Sequence, residues 1–265
     1  MHGHPSLLGT DDPPPVTVTN PRGRSSFLLV ADHAGRCVPA GLGDLGVGPA
    51  DWDRHIAWDI GIAGVCAALA PLLDAVCIEQ VYSRLVIDCN RRPGHPTSIP
   101  PASDGTVVPG NQNLTEADKA ARVEAIFSPY HDAIAAEIDR RTALGQPTIL
   151  IAMHSFTPVW GGIPRIWQAG VLHNRDPRLG HALAAQLTAA GYHVGDNEPY
   201  SLSDESDYTV PVHAERRNLP YVELEIRQDL IVGPQGQAHW ATLLAKTLPA
   251  AWQACGLEPG AAGGD

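Results

Sequence analysis

The chain has 265 residues and a formal net charge of −11, which is long enough for one α/β domain and the wrong sign for gripping a nucleic-acid backbone or an anionic membrane. No apolar run approaches a membrane span, and Met1 to Pro15 lacks the basic start and apolar stretch of a secretory signal, so a soluble, cytoplasmic protein is expected. The five cysteines are odd in number and lack Cys-x-x-Cys spacing, against a zinc ribbon, a thioredoxin-like pair or a disulfide framework.

Residues 1–24, polar and broken by Pro13-Pro14-Pro15, read as a flexible segment in which His2 and His4 belong to a loose terminus. Residues 25–256 read as a single catalytic α/β domain, and 257–265 as a flexible tail. Phe27 to Ala31 is a short apolar run, expected as a buried strand, that leads into Asp32-His33 and the small residues Ala34-Gly35. Trp52 to Leu73 is rich in Ala and Leu and predicts a helix, on which His55 and Asp59 stand four apart on one face. Strands are expected at Ala75 to Val81 and Arg84 to Ile87. The longest helix is expected over Thr115 to Leu144, opened by a capping box of Thr115 and Asp118 and stopped by Gly145 and Pro147. Ile149 to Met153 then runs into His154-Ser155. A helix over Pro177 to Ala190, a charged strand over Tyr221 to Ile226 and a last helix over Gln237 to Ala254 complete the order. Strands alternating with helices imply a three-layer α/β/α sandwich with a mostly parallel mixed sheet. The long loops at Asp88–Asn113, Thr157–Gln168 and Gly195–Pro211 are expected to wall a site.

His33 and His154 each stand at the end of an apolar strand, where open α/β sheets bind ligands. Two imidazoles and a carboxylate suit a catalytic zinc, although iron, manganese or cobalt fit similar ligands. Asp59 is the first choice for the third ligand and His55 the second. In Glu223-Leu224-Glu225-Ile226-Arg227, alternation sends the charged residues to one side. An exposed edge strand with a row of ion pairs is one reading. The other makes Glu225 the general base, with Glu223 or Arg227 in support. Arg84 and Arg91 are candidates for an oxyanion donor and a carboxylate anchor. Arg165 and Trp167, or Tyr200 and Tyr208, are candidates for shaping specificity.

These residues resemble the N-formylglutamate amidohydrolase family, related in fold to the zinc carboxypeptidases and aspartoacylases. The resemblance rests on Asp32-His33-Ala34-Gly35, on His55 to Gly61, on Tyr82 to Arg91, on Pro109-Gly110-Asn111, on His154 to Pro158, on Gly195 to Tyr200 and on Glu225-Ile226-Arg227, in order along the chain. It implies a zinc-carboxypeptidase-like (phosphorylase/hydrolase-like) fold. It also implies His33 and His154 as metal ligands, Asn90 with Arg91 as a carboxylate clamp, Arg84 as oxyanion donor and Glu225 as base. One position departs: Arg36 stands where a glutamate ligand would follow the first histidine, which leaves Asp59 to substitute. The expected activity is metal-dependent hydrolysis of a small N-acyl, first of all N-formyl, amino acid such as N-formylglutamate. A carboxypeptidase-like peptidase, a deacylase for larger acyl groups and a non-catalytic binder of acidic amino-acid derivatives are the alternatives.

Overall fold

A computed structural model describes residues 6–256. His2, His4 and the Pro259–Asp265 tail lie outside the described residues. The chain forms β1 (Val16–Thr19), β2 (Phe27–Ala31), a short α1 (Pro49–Trp52), α2 (Ile62–Leu73) and β3 (Val76–Gln80). A small hairpin follows, β4 (Ala102–Ser103) with β5 (Thr106–Val107). Helices α3 (Glu116–Arg122) and α4 (Ser128–Ala143) are joined through one wide π-type turn at Val123–Phe127. Then come β6 (Ile149–Phe156), a second hairpin of β7 (Val159–Trp160) and β8 (Ile163–Pro164), β9 (Ala169–Leu172), α5 (Arg178–Ala189), β10 (Val194–Asp196), β11 (Tyr221–Arg227) and α6 (Pro234–Ala254).

Seven strands pair in the order β1-β3-β2-β6-β11-β9-β10. The centre, β3-β2-β6-β11, is parallel; β1 runs antiparallel to β3, and β9 and β10 run against β11. The parallel strands β2 and β6 are buried on both faces, and so Phe27 to Ala31 and Ile149 to Met153 are apolar without a break. Alternation divides them between two cores. Leu29 and Ala31, Ile151 and Met153, and Val222 and Leu224 pack with α2, α5 and α6. Leu28, Val30, Leu150 and Ala152 pack with α4 and the long loops through Phe127, Tyr130, Ile134 and Ile138. Each of the larger side chains among them, removed from water, contributes roughly 1.5–3 kcal/mol. The three-layer sandwich with a mixed, mostly parallel sheet is the architecture observed.

Three local expectations are corrected. Trp52 to Leu73 is not one helix: after α1 the chain passes through turns, and α2 starts only after Gly61. Gly61 sits at φ +84°, and a Cβ there would lie 2.1 Å from the Ile231 carbonyl oxygen, so the backbone must bend where a side chain cannot fit. Arg84 to Ile87 is a turn, not a strand. Its carbonyls are satisfied by side chains, with Asn111 Nδ2 donating to Leu85 O at 2.8 Å and the buried Arg122 donating to Val86 O at 2.8 Å. Finally, the opening stretch supplies β1, which pairs with β3, and Pro13 O accepts a hydrogen bond from Tyr82 Oη at 2.7 Å.

The Thr115–Asp118 capping box forms as the residues predict, the side chain of each accepting from the other's backbone N–H. All five cysteines are free thiols. No described helix is long and apolar enough to cross a membrane.

Candidate active site

The carboxyl ends of β2, β6 and β11 lie side by side, and their parallel register fixes what meets there. Glu225 of β11 is the Cα partner of His154 of β6, and β2 delivers Asp32 and His33 immediately beyond its last residue. A backbone hydrogen bond from Asp59 N to His33 O, at 2.9 Å, draws the turn after α1 into the same place. His33, Asp59 and His154 are all buried, and they offer ligand atoms within 4.8 Å of one another. The third member is therefore Asp59 and not His55, whose Nε2 stands 3.7 Å from Asp104 while its ring lies edge-on to Trp160. His55 and Asp59 share no helix face, because the segment between α1 and α2 is turned. Arg36, at the position of the missing glutamate, points outward to pair with Asp53 at 2.8 Å and to cover the Trp58 ring.

Each imidazole is oriented from behind. His33 Nε2 lies 2.7 Å from Asp88 Oδ1, so in the neutral ring the proton sits on Nε2 and the Nδ1 lone pair is free. That Nδ1 is buried without a hydrogen-bond partner and stands 3.6 Å from Asp59 Oδ2. His154 Nδ1 lies 3.0 Å from the same Asp59 oxygen, which also accepts from Ser155 N at 3.2 Å. His154 Nε2 is 3.2 Å from Asp32 Oδ2, near enough for charge attraction but not aligned as a hydrogen bond. Thr209 Oγ1 fixes the other Asp32 oxygen at 2.5 Å.

Electrostatics follow from these contacts. Burial works against a charged His154, but Glu223, Asp32 and Asp59 outweigh it and raise its pKa well above the usual value. Burial likewise opposes ionisation of Asp59, yet His33 and His154 hold its pKa below the ordinary carboxylate range. An anionic carboxylate facing two imidazole Nδ1 atoms, one of them an orphan, is a donor set suited to a divalent cation, which would take the place of the His154 proton. Burial pushes Glu225 up to about 7, with His154 partly offsetting it and Asp59 adding to it. Glu223 is raised well above its normal range by burial and by Asp207 and Glu225, with His154 opposing the rise. Glu225 Oε2 and Glu223 Oε2 are both buried and unpaired. The edge-strand reading of this segment fails, since β11 is flanked by β6 and β9.

These groups line a cleft of about 480 Å³, together with Arg84, Asp88, Asn90, Arg91, Trp160 and Tyr200. Arg84 Nη2 donates to Asp88 at 2.7 Å and its Nη1 stands 3.5 Å from Asp59, which places the guanidinium beside the histidine pair. Arg91 Nη1 donates to Asn90 O at 2.9 Å and lies 3.5 Å from Asp207. Asn90 lines the cleft, but its amide is occupied: Oδ1 accepts from Tyr208 N and Thr209 N, and Nδ2 donates to Asp207 at 3.0 Å. It fastens the loop that carries Asp207, leaving the guanidinium as the stronger donor of the pair.

Three residues expected to contact substrate are displaced from the lining. Tyr208 packs edge-on against Phe127 and His131 behind the cleft. Trp167 lies beside Gly195, outside the lining. Arg165 also stands outside it, under Trp160 and Tyr200, with its guanidinium carbon 5.4 and 4.7 Å from their ring centres, and donates to Tyr200 Oη. It stiffens an aromatic wall. Sequence reasoning gave no role to Asp32, Asp88, Trp160 or Asp207. Asp32 has a signal, an acid next to a candidate ligand histidine; the other three are brought in by loops whose path the sequence does not encode locally.

The model of the N-formylglutamate amidohydrolase family matches residues 25–232. The chain belongs to that family. Within the solved structures, the gene product Atu2144 of Agrobacterium tumefaciens is similar over 95% of this chain and 100% of its own, at 35% identity and a TM-score of 0.91. An N-formylglutamate amidohydrolase from Ralstonia eutropha JMP134 shares the fold, at 20% identity and a TM-score of 0.67, over 90% of this chain and 97% of its own. No curated protein matches. Membership of this amidohydrolase family supports hydrolase activity on a small molecule.

Proposed function

We propose that the protein is a metal-dependent amidohydrolase that cleaves a small N-acyl amino acid, N-formyl derivatives such as N-formylglutamate first, in the cytoplasm. The reading rests on one observation: His33 Nδ1, His154 Nδ1 and an Asp59 oxygen converge in a buried place beside Glu225. His33, Asp59 and His154 would hold the ion, with zinc preferred for this donor set. Bound there, the ion would supply a Lewis acid for the acyl oxygen and acidify an attacking water.

The chain's own groups do the rest. Glu225, with a pKa of about 7 and an unpaired oxygen, is poised to take a proton from water at neutral pH and return it to the departing amine. The Arg84 guanidinium, charged throughout, faces the place where negative charge develops on the acyl oxygen. Arg91 anchors the free carboxylate of the substrate, positioned by the Asn90–Asp207 contact. Asp32 and Asp88 keep the two imidazoles turned toward Asp59.

A deacylase for larger acyl groups draws on the size of the cleft, about 480 Å³, which exceeds what a formyl group fills. The deciding experiment measures the metal content of untreated protein. It then compares hydrolysis of N-formyl, N-acetyl and short peptide substrates before and after chelation. Formyl-selective hydrolysis that chelation abolishes and zinc restores is expected. Hydrolysis that survives complete removal of metal would refute the proposal.

A further inference from the structure

Beyond the cleft, the same donor set occurs a second time. His173 follows β9, Asp196 ends β10, and His181 lies in the first turns of α5. β9 and β10 run against β11, so their carboxyl ends point away from the end of the sheet toward which His154 and Glu225 lie, and Asp196 stands two strands from Glu225. None of the three residues lines the catalytic cleft.

The arrangement is built from fixed elements. His173 Nε2 stands 2.7 Å from Asp196 Oδ1, and His181 Nε2 stands 3.2 Å from Asp196 Oδ2, so each carboxylate oxygen faces a different imidazole. The two rings meet edge to face, at 90° with centres 4.9 Å apart, and the three ligand atoms fall within 4.8 Å of one another. The His173 side chain is only 13% exposed, and its backbone N–H is held by Asn197 Oδ1 at 2.9 Å. Gly180 makes room for the ring: a Cβ there would come within 3.3 Å of His173 Cδ2. His181 and Asp196 are more than half exposed, which leaves the outer side of the cluster open to solvent.

The geometry points to a second divalent-metal site, made by His173, His181 and Asp196, that takes a borderline transition ion such as Zn²⁺ and braces β10 to α5. Two imidazoles and one carboxylate favour Zn²⁺, Co²⁺ or Ni²⁺ over Mg²⁺ or Ca²⁺, which want all-oxygen shells. Water or a ligand from outside completes the coordination. An ion held by three separate elements binds the folded chain and not the unfolded one, so it raises the melting temperature.

The test is equilibrium dialysis and calorimetric titration with Zn²⁺ and with Co²⁺. It uses the tag-free, chelator-stripped full chain and its His181→Ala, Asp196→Asn and His154→Ala variants. Wild type is expected to bind two ions. His181→Ala and Asp196→Asn should each lose one, or bind it more than roughly 100-fold more weakly, and lose part of the metal-induced rise in melting temperature. His154→Ala should keep the ion that they lose. Hydrolysis by metal-loaded His181→Ala should match wild type. A wild type that binds one ion, kept in His154→Ala and lost in His181→Ala, would uphold this site and remove the ion from the cleft. Undiminished binding by both His181→Ala and Asp196→Asn would overturn the site.

Discussion

Asp88 is the test of how the cleft is organised, because one carboxylate there serves two functional side chains. Its Oδ1 accepts from His33 Nε2 at 2.7 Å and from Asn90 N at 2.9 Å, and its Oδ2 accepts from Arg84 Nη2 at 2.7 Å and Nε at 3.2 Å. Asp88→Asn keeps the shape but turns one oxygen into a donor. Whichever way the amide settles, an NH₂ group then faces either the His33 and Asn90 donors or the Arg84 fork. A lost hydrogen bond to a charged group costs about 1.5–3 kcal/mol. If the His33 side is lost, metal affinity should fall roughly 10–100-fold, as when an outer partner of a ligand histidine is removed. If the Arg84 side is lost, kcat should fall by about 10²–10³, the loss typical of one oxyanion donor. The assay pairs chelator competition for the metal with steady-state kinetics on an N-formyl amino acid. Metal affinity and kcat/KM that both stay within about threefold of wild type would show that Asp88 positions neither group.

Glu225→Gln should bind metal normally and lose about 10²–10⁴ in kcat, measured by dialysis and kinetics; near-normal turnover would remove the glutamate from proton transfer. If Glu225 works as the anion, kcat/KM should rise with pH through a midpoint near its pKa of about 7 and level off above it, with the limb moved to lower pH by any cation beside it; a flat profile from pH 5 to 8 would contradict the assignment. Arg91→Met should raise KM by roughly 10–100-fold with a smaller change in kcat, and an unchanged KM would free Arg91 from the carboxylate. Glu79 is buried on β3, one strand in from the edge strand β1, and burial raises its pKa from 4.5 to about 7 on folding, only partly offset by Thr19. Stability tied to it is fully present below about pH 4.5 and is lost as pH rises to about 7, by up to about 3 kcal/mol. Urea unfolding at pH 8 should therefore find Glu79→Gln more stable than wild type, with the gain absent at pH 4.5; equal stability at both pH values would refute this.

The parts of the site carried by strands were legible in the sequence. His33 and His154 stand at the ends of unbroken apolar runs, and period-two alternation in Tyr221 to Arg227 puts Glu225 on one face with Glu223. Asp59 was recognisable as a ligand candidate but for the wrong local reason, since a turn enforced by Gly61, not a helix face, delivers it. The Arg84–Ile87 run has strand-like composition, yet its carbonyls are capped by Asn111 and Arg122 from far along the chain, which no local pattern encodes. Loop residues were placed least well. Tyr208 and Trp167 turn away from the cleft, whereas Trp160 and Asp207, given no role, face it.

The pairing of Glu225 with His154 across adjacent parallel strands means that the spacing between the proposed proton acceptor and the proposed metal ligand is set by the backbone ladder of the sheet. The walls around them come from separate excursions, the two small hairpins and the loop through Tyr200 to Asp207. Exchanging those excursions for others of different length should retune which acyl compounds are admitted while the bond-breaking apparatus stays intact, so that acceptance and cleavage are free to evolve apart.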